Sequence, residues 1–334
     1  MKKVIVTSAG GGFTPKEEPI PEPAKGYARV KVQACGVCHS DALTKEGTWP
    51  GILYPRVPGH EIAGIIDALG PDPDPWKIGD RVGIGWHGGH CGKCDSCRRG
   101  DFITCVKLQI PGISYDGGYA EYVSVPIEAL ARIPEALAPE EAAPLMCAGI
   151  TTFNALRHSG ARPGDLVAIQ GIGGLGHLGI QFASKSGFAT VAIGRGEENR
   201  NLAQKLGAQV YIDARSQDVA KELTALGGAR AILATAPDGK AMGSLIDGLG
   251  VDGKLVTIAV SFEPFSVSSP QLLMARKSIM GWPSGTSKDS EDTLRFAAAN
   301  GVRPMIETFP LERTADAYER MMSGKVRFRS VLKV

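Results

Sequence analysis

The sequence predicts an α/β protein: a doubly wound parallel sheet plus a second, irregular β-rich domain. From Leu166 onward, short apolar runs alternate with helical stretches, as βαβ units do. One turn between them reads Gly171-Ile172-Gly173-Gly174-Leu175-Gly176, following a strand and opening a helix. The first half holds short β-leaning runs bounded by Gly, Pro or Asp. With 334 residues, 43% hydrophobic and 22% charged, the chain has apolar material for two cores, which excludes bulk disorder.

Taken in order, Ala28–Gln33 alternates polar and apolar, as a half-buried strand does. Ile62–Leu69, Arg81–Ile84 and Tyr119–Val125 read as further strands, and Pro71–Pro75 as a loop, because proline lacks the amide donor. The character changes near Glu140, where Pro139–Ala143 opens a helix with acids in its first turn. Strands follow at Leu166–Gln170, Thr190–Ile193, Val210–Asp213, Ala231–Thr235 and Lys254–Ala259. Helices are expected between them at Leu175–Ser186, Glu198–Leu206, Val219–Leu226 and Leu245–Leu249. Lys277–Trp282 reads as an edge strand, Ser290–Asn300 and Thr314–Met322 as helices, and Val326–Val334 as a closing strand.

Net charge is +2, from 37 basic and 35 acidic residues. That balance gives no electrostatic argument for nucleic acid or a membrane surface. No apolar run is long enough for a spanning helix, and the first apolar stretch is too short for a signal peptide, so a cytoplasmic location is expected. Seven cysteines in such a chain point to metal sites rather than disulfides.

In the G-x-G-x-x-G turn, Gly171 makes the bend, Gly173 lets a pyrophosphate approach, and Gly176 lets the helix pack on its strand. Gly174 and Leu175 complete the turn, and the helix N-terminus faces the phosphates. This is a Rossmann-type dinucleotide site. NAD calls for an acid at the end of the next strand, on the ribose 2′-hydroxyl. The sequence there reads Gly194-Arg195, with Arg200 one turn on. The missing acid and the added cation favour NADP, with NAD as the weaker alternative.

Cys91, Cys94, Cys97 and Cys105 form C-x2-C-x2-C-x7-C, four thiolates for a closed tetrahedral zinc. His87 and His90 beside them read as ordinary loop residues. Cys38, His60 and Cys147 lie in distant segments; two Cys and one His describe an open catalytic zinc site, though spacing alone does not establish it.

GVCHSD (36–41), GHExxG (59–64), GDRVG (79–83), the four-cysteine loop, GGYAEY (117–122), CAGIT (147–151) and GIGGLG (171–176) run through the chain. In their order it resembles a zinc-dependent alcohol dehydrogenase of the medium-chain dehydrogenase/reductase superfamily over nearly its whole length. The resemblance implies a GroES-like catalytic domain, 1–148 with 286–334 returning to it, and a Rossmann domain, 149–285. It implies two zinc ions per chain, the catalytic one held by Cys38, His60 and Cys147 and the structural one by the four-cysteine loop. Cys35 is left over as a buried small hydrophobe.

The same resemblance implies reversible hydride transfer between a primary alcohol or aldehyde and a nicotinamide cofactor. Ser40 would take the substrate proton, Asp41 would orient His60, and Glu61 would lie behind the metal. Thr151 would touch the nicotinamide, Arg329 the pyrophosphate and His39 a phosphate. Trp49, Trp86 and Val260 would line the substrate cleft. Leu43 stands where several relatives end a proton relay with histidine, so the proton needs another exit, such as the cofactor ribose and water. The proline-rich 71–75 loop departs from the family locally. Relatives form dimers or tetramers, so a homo-oligomer is expected. A polyol, sugar or cinnamyl-alcohol dehydrogenase of the same superfamily is the alternative, although sugar-type sites tend to carry Glu in place of Cys147. From another class, a non-catalytic zinc-stabilised binding protein competes, including a nucleic-acid binder that uses the four-cysteine loop as a ribbon.

Overall fold

The computed structural model describes all 334 residues. They form two compact units, Met1–Ile150 with Ser284–Val334, and Thr151–Pro283. In the first unit, β1 (Lys2–Val6) and β2 (Phe13–Glu17) make an antiparallel hairpin. β3 (Tyr27–Val37), β4 (Glu61–Leu69), β5 (Arg81–Ile84), β6 (Tyr122–Pro126) and β7 (Leu130–Arg132) follow. β3 forms because Ala28, Val30, Val32 and Ala34 alternate inward while Arg29, Lys31 and Gln33 do not. With Ile62, Ile66, Val82 and Ile84 these valines build one core, each fully buried side chain contributing about 1.5–3 kcal/mol. The run expected at Tyr119–Val125 pairs in two pieces. Tyr119 O accepts from Val4 N–H at 2.8 Å, and only Tyr122–Pro126 joins β3.

The second unit is a six-stranded parallel sheet of β8 (Leu166–Gln170), β9 (Ala189–Gly194), β10 (Val210–Asp213), β11 (Ala229–Ala234), β12 (Leu249–Thr257) and β13 (Ser278–Gly281). Its order is β10-β9-β8-β11-β12-β13, the doubly wound arrangement whose strand order reverses beside the first strand. The strands are nearly continuous apolar runs because both faces are covered. The helical stretch expected at Leu245–Leu249 is the end of a longer one, a helix at Gly239–Leu245 continued by a 3-10 turn at Ile246–Gly248. Asp238 starts it by accepting a bond from Ala241 N–H at 2.9 Å, and Leu249 already belongs to β12.

The chain then returns to the first unit through the helix Ser287–Asn300, β14 (Ile306–Pro310), the helix Thr314–Met322 and β15 (Arg329–Lys333). The first unit's main sheet runs β14-β15-β3-β4-β5-β7, with β6 also on β3. This pairing brings the ends of β3 and β15 and the start of β4 together: Gly36 faces both Glu61 and Val331. No helix is long and apolar enough to cross a membrane.

Candidate active site and cofactor cleft

Cys38 follows β3, His60 and Glu61 open β4, and Cys147 sits in a single π-helical turn, Leu145–Gly149, an irregularity frequent at functional sites. Ligand atoms of Cys38, His60, Glu61 and Cys147 lie within 4.8 Å of one another, and the Cys38 and Cys147 sulfurs are 3.9 Å apart. His60 Nδ1 is 3.1 Å from Asp41 Oδ1. Asp41 Oδ2 accepts from Cys38 N–H and from Tyr119 O–H, both at 2.8 Å. With Nδ1 donating to the carboxylate, Nε2 presents its lone pair, and that buried atom has no protein partner. Burial opposes charge on the ring, but Asp41 outweighs it and raises its basicity, which strengthens a metal donor. Cys38 and Cys147 shift in opposite directions, Cys38 down and Cys147 up, each chiefly through its bond to the other. A dication would let both be thiolates. These donors fit zinc.

Glu61 is buried, and burial raises its carboxyl to about 7 against the pull of Arg329. Arg329 is buried as well and donates from Nη2 to Glu61 Oε1. A Cβ on Gly36 would overlap the Glu61 carboxylate, so glycine at 36 makes room for the acid. Ser40 precedes the helix Asp41–Glu46 without capping it through its side chain; His39 beside it is exposed. Trp86 stands edge-on to His60 at 5.0 Å and to Trp49 at 6.0 Å between centroids, so the two indoles form an apolar wall beside a metal donor. Tyr119 is a site residue that sequence reasoning passed over. Its signal was the GGYAEY run, since a fully buried tyrosine needs a partner for its hydroxyl.

The four-cysteine loop folds around a short helix, Asp95–Arg98. Sulfur–sulfur separations there are 3.5 Å for Cys94–Cys97, 3.6 Å for Cys91–Cys105, 3.9 Å for Cys94–Cys105 and 4.0 Å for Cys91–Cys97. A tetrahedron of thiolates about 2.3 Å from zinc has edges of about 3.8 Å. Amides of Cys97 and Val106 pull Cys94 down to about 6, while burial and the Cys105 thiol push Cys97 up to about 12. Four neighbouring thiolates need a cation. His87 and His90 lie outside this set and meet each other at 3.0 Å. Cys35 is fully buried, and burial pushes its thiol well up.

In the second unit a cleft of about 470 Å³ opens past β8 and β9, lined by Gly171, Ile172, Gly194, Arg195 and Asn199 among others. Gly171 has φ +95°, a Cβ on Gly176 would overlap Gly171 O, and nothing lies within 4 Å of a Cβ on Gly173. These are the bend, the close helix contact and the open face of a pyrophosphate turn. β9 ends at Gly194 without an acid. The nearest carboxylate on the next strand, Asp213, accepts from Gly196 N–H at 2.7 Å and Arg215 N–H at 3.0 Å. Arg195 reaches the rim and pairs with Asp238 at 2.5 Å. Arg200 is held by Glu197 at 2.6 and 2.8 Å. Thr151 is buried at the start of this unit, and Val260 is exposed on it.

A profile described as the alcohol dehydrogenase GroES-like domain matches residues 24–135, and one described as zinc-binding dehydrogenase matches 174–299. The chain is 45% identical over 331 residues to alcohol dehydrogenase patD of Penicillium expansum, covering 99% of this chain and 97% of that one. A solved NAD-dependent alcohol dehydrogenase superposes with TM-score 0.92 at 28% identity over 100% of both chains. A cinnamyl alcohol dehydrogenase of Sorghum bicolor gives 0.90 at 27% identity, over 99% of this chain and 97% of that one. The chain belongs to the zinc-binding medium-chain alcohol dehydrogenases and is an oxidoreductase.

Proposed function

We propose that the protein interconverts primary alcohols and aldehydes with NADP favoured over NAD. The observation that carries the chemistry is the cluster of Cys38, His60 and Cys147 around the unpartnered His60 Nε2. Zinc held there supplies a Lewis acid that lowers the pKa of an alcohol hydroxyl, and the nicotinamide supplies the hydride acceptor. Asp41 fixes the His60 ring, and the Ser40 hydroxyl, uncommitted to its helix, takes the substrate proton. Leu43 cannot carry that proton further along a side-chain relay, so the proton would need an exit that does not use this position. The Trp49–Trp86 wall selects an apolar substrate. Glu61, beside the metal donors and paired to Arg329, would help hold the metal site in place. Within the second unit, the 171–176 turn would take the cofactor pyrophosphate and Thr151 would touch the nicotinamide. Cys91, Cys94, Cys97 and Cys105 would hold a second zinc.

NADP preference rests on the acid-free end at Gly194, the committed Asp213 carboxylate and Arg195 at the rim. NAD is the alternative, as in the solved NAD-dependent relative. The paired indoles also support planar aromatic alcohols, in line with the Sorghum bicolor relative. A homo-oligomer is proposed on the one-sided pairing of β13 and the exposed Phe262 and Met274. Six cysteines clustered as metal ligands, which must stay reduced, support a cytoplasmic location. NADPH or NADH absorbance followed with a panel of short aliphatic and aromatic alcohols and aldehydes tests the reading. Wild type should turn over primary substrates, and Cys38→Ala should stay folded, keep roughly one zinc per chain and lose turnover. An active Cys38→Ala protein holding two zinc ions would remove the assignment.

A further inference from the structure

We propose that Tyr211 is a specificity-determining residue that keeps the end of β9 closed to an acidic side chain and holds the Arg195 loop in shape. This deepens, and rests on, the cofactor reading above. Tyr211 lies in β10, which pairs with β9 in parallel register, and its side chain is buried. A Cβ on Gly194 would lie 2.6 Å from the Tyr211 hydroxyl oxygen and 2.8 Å from Cε2. Real contacts do not approach so closely, so the ring or the backbone would have to move.

The ring is not free to move. Its hydroxyl donates to Gly196 O at 2.6 Å, and the Arg200 guanidinium lies 5.1 Å from its centroid. Arg200 is itself gripped by Glu197. Gly196, at φ +92°, is held from both sides: Tyr211 binds its carbonyl, and Asp213 accepts from its N–H. Arg195 precedes Gly196 and points to the rim of the cleft. Tyr211 therefore acts twice on ribose recognition. It fills the volume that a 2′-hydroxyl-binding carboxylate would occupy, and it positions the backbone that carries the phosphate-binding cation. Glycine at 194 is then a consequence of Tyr211, and an NAD-type acid cannot be installed at 194 while the ring stays.

The test reads binding apart from turnover. Titration calorimetry of the zinc-loaded enzyme with 2′-AMP and 5′-AMP is run on wild type, Gly194→Asp, Tyr211→Ala, the double variant and Tyr211→Phe. Gly194→Asp alone should weaken both nucleotides at least tenfold or fail to fold. Adding Tyr211→Ala should restore 5′-AMP binding and shift the preference toward it at least tenfold, far from additivity. Tyr211→Phe keeps the ring and loses the Gly196 bond. It should weaken 2′-AMP and raise KM for NADP several-fold, with 5′-AMP binding and kcat unchanged. If the aspartate proteins do not fold, Gly194→Ala should lower the melting temperature, and Tyr211→Ala beside it should recover part of the loss. Additive behaviour of 194 and 211, or Gly194→Asp binding 5′-AMP as well as the double variant does, overturns the proposal. A wild type indifferent to the 2′-phosphate overturns the NADP reading instead, and leaves the coupling between 194 and 211 measurable.

Discussion

Asp41 shows how much of the site a single side chain organises. Its two oxygens take a histidine ring, a backbone amide and a phenol, so one buried carboxylate fixes two metal donors and the strand end between them. Removing it leaves the ring free to turn and the Cys38 amide unpaired. Asp41→Ala should therefore lower zinc affinity at the open site about ten- to a hundredfold, measured by chelator competition, while the four-cysteine zinc stays. Tyr119→Phe leaves two of the three bonds and should cost about 1 kcal/mol of stability. Equal loss of both metals in Asp41→Ala would show a general structural role instead. Cys38, His60 and Asp41 were legible because their types and order matched a family pattern. Their convergence was not, since it comes from the pairing of β3 with β4 and β15, contacts between residues far apart in sequence.

Elements were legible where physics repeats locally. The buried parallel strands β8 to β11 read as apolar runs between helical patterns, and the structure holds them within a few residues of where the sequence set them. The β1–β2 hairpin was missed because β2 is Phe-Thr-Pro-Lys-Glu, largely exposed and without an apolar face. Of the helical stretch that begins at Gly239 only the end from Leu245 was legible, because two glycines weaken the pattern before it; Asp238 was the cue to its start. The four-cysteine loop is the opposite case, an element carried by metal ligands rather than packing. Its helix has four residues and buries only Cys97, so propensity cannot hold it. Cys94→Ala or Cys97→Ala should lower the melting temperature and reduce metal content toward one zinc per chain. Any loss of turnover should then follow unfolding. A variant with wild-type zinc content and melting point would show that the loop is held otherwise.

Across the whole molecule the two units divide the labour, and that division fixes how variants should behave. Cys38, His60, Cys147 and Ser40 belong to the first unit, and the glycine turn at 171–176 and Arg195 to the second. Changes at Gly194 and Arg195 should move KM for the cofactor and spare kcat, because a 2′-phosphate is bound equally in ground and transition states. A charge-assisted arginine–phosphate bond contributes about 1.5–3 kcal/mol when partly desolvated. The Arg195 side chain is 67% exposed and already paired with Asp238, so screening brings its contribution toward about 1 kcal/mol. On the proposed reading, that would set the NADP preference at roughly tenfold or less in kcat/KM, with Asp238 competing with the phosphate for Arg195. Asp238→Asn keeps a residue able to cap the helix at Gly239 while releasing the arginine, so it should raise the NADP preference several-fold. Arg195→Ala should erase most of that preference by raising KM for NADP alone. Steady-state kinetics with both cofactors decide it: a wild type that favours NAD, or an Asp238→Asn protein with an unmoved ratio, would mean that Arg195 answers only to Asp238 and that the phosphate is not read at this rim.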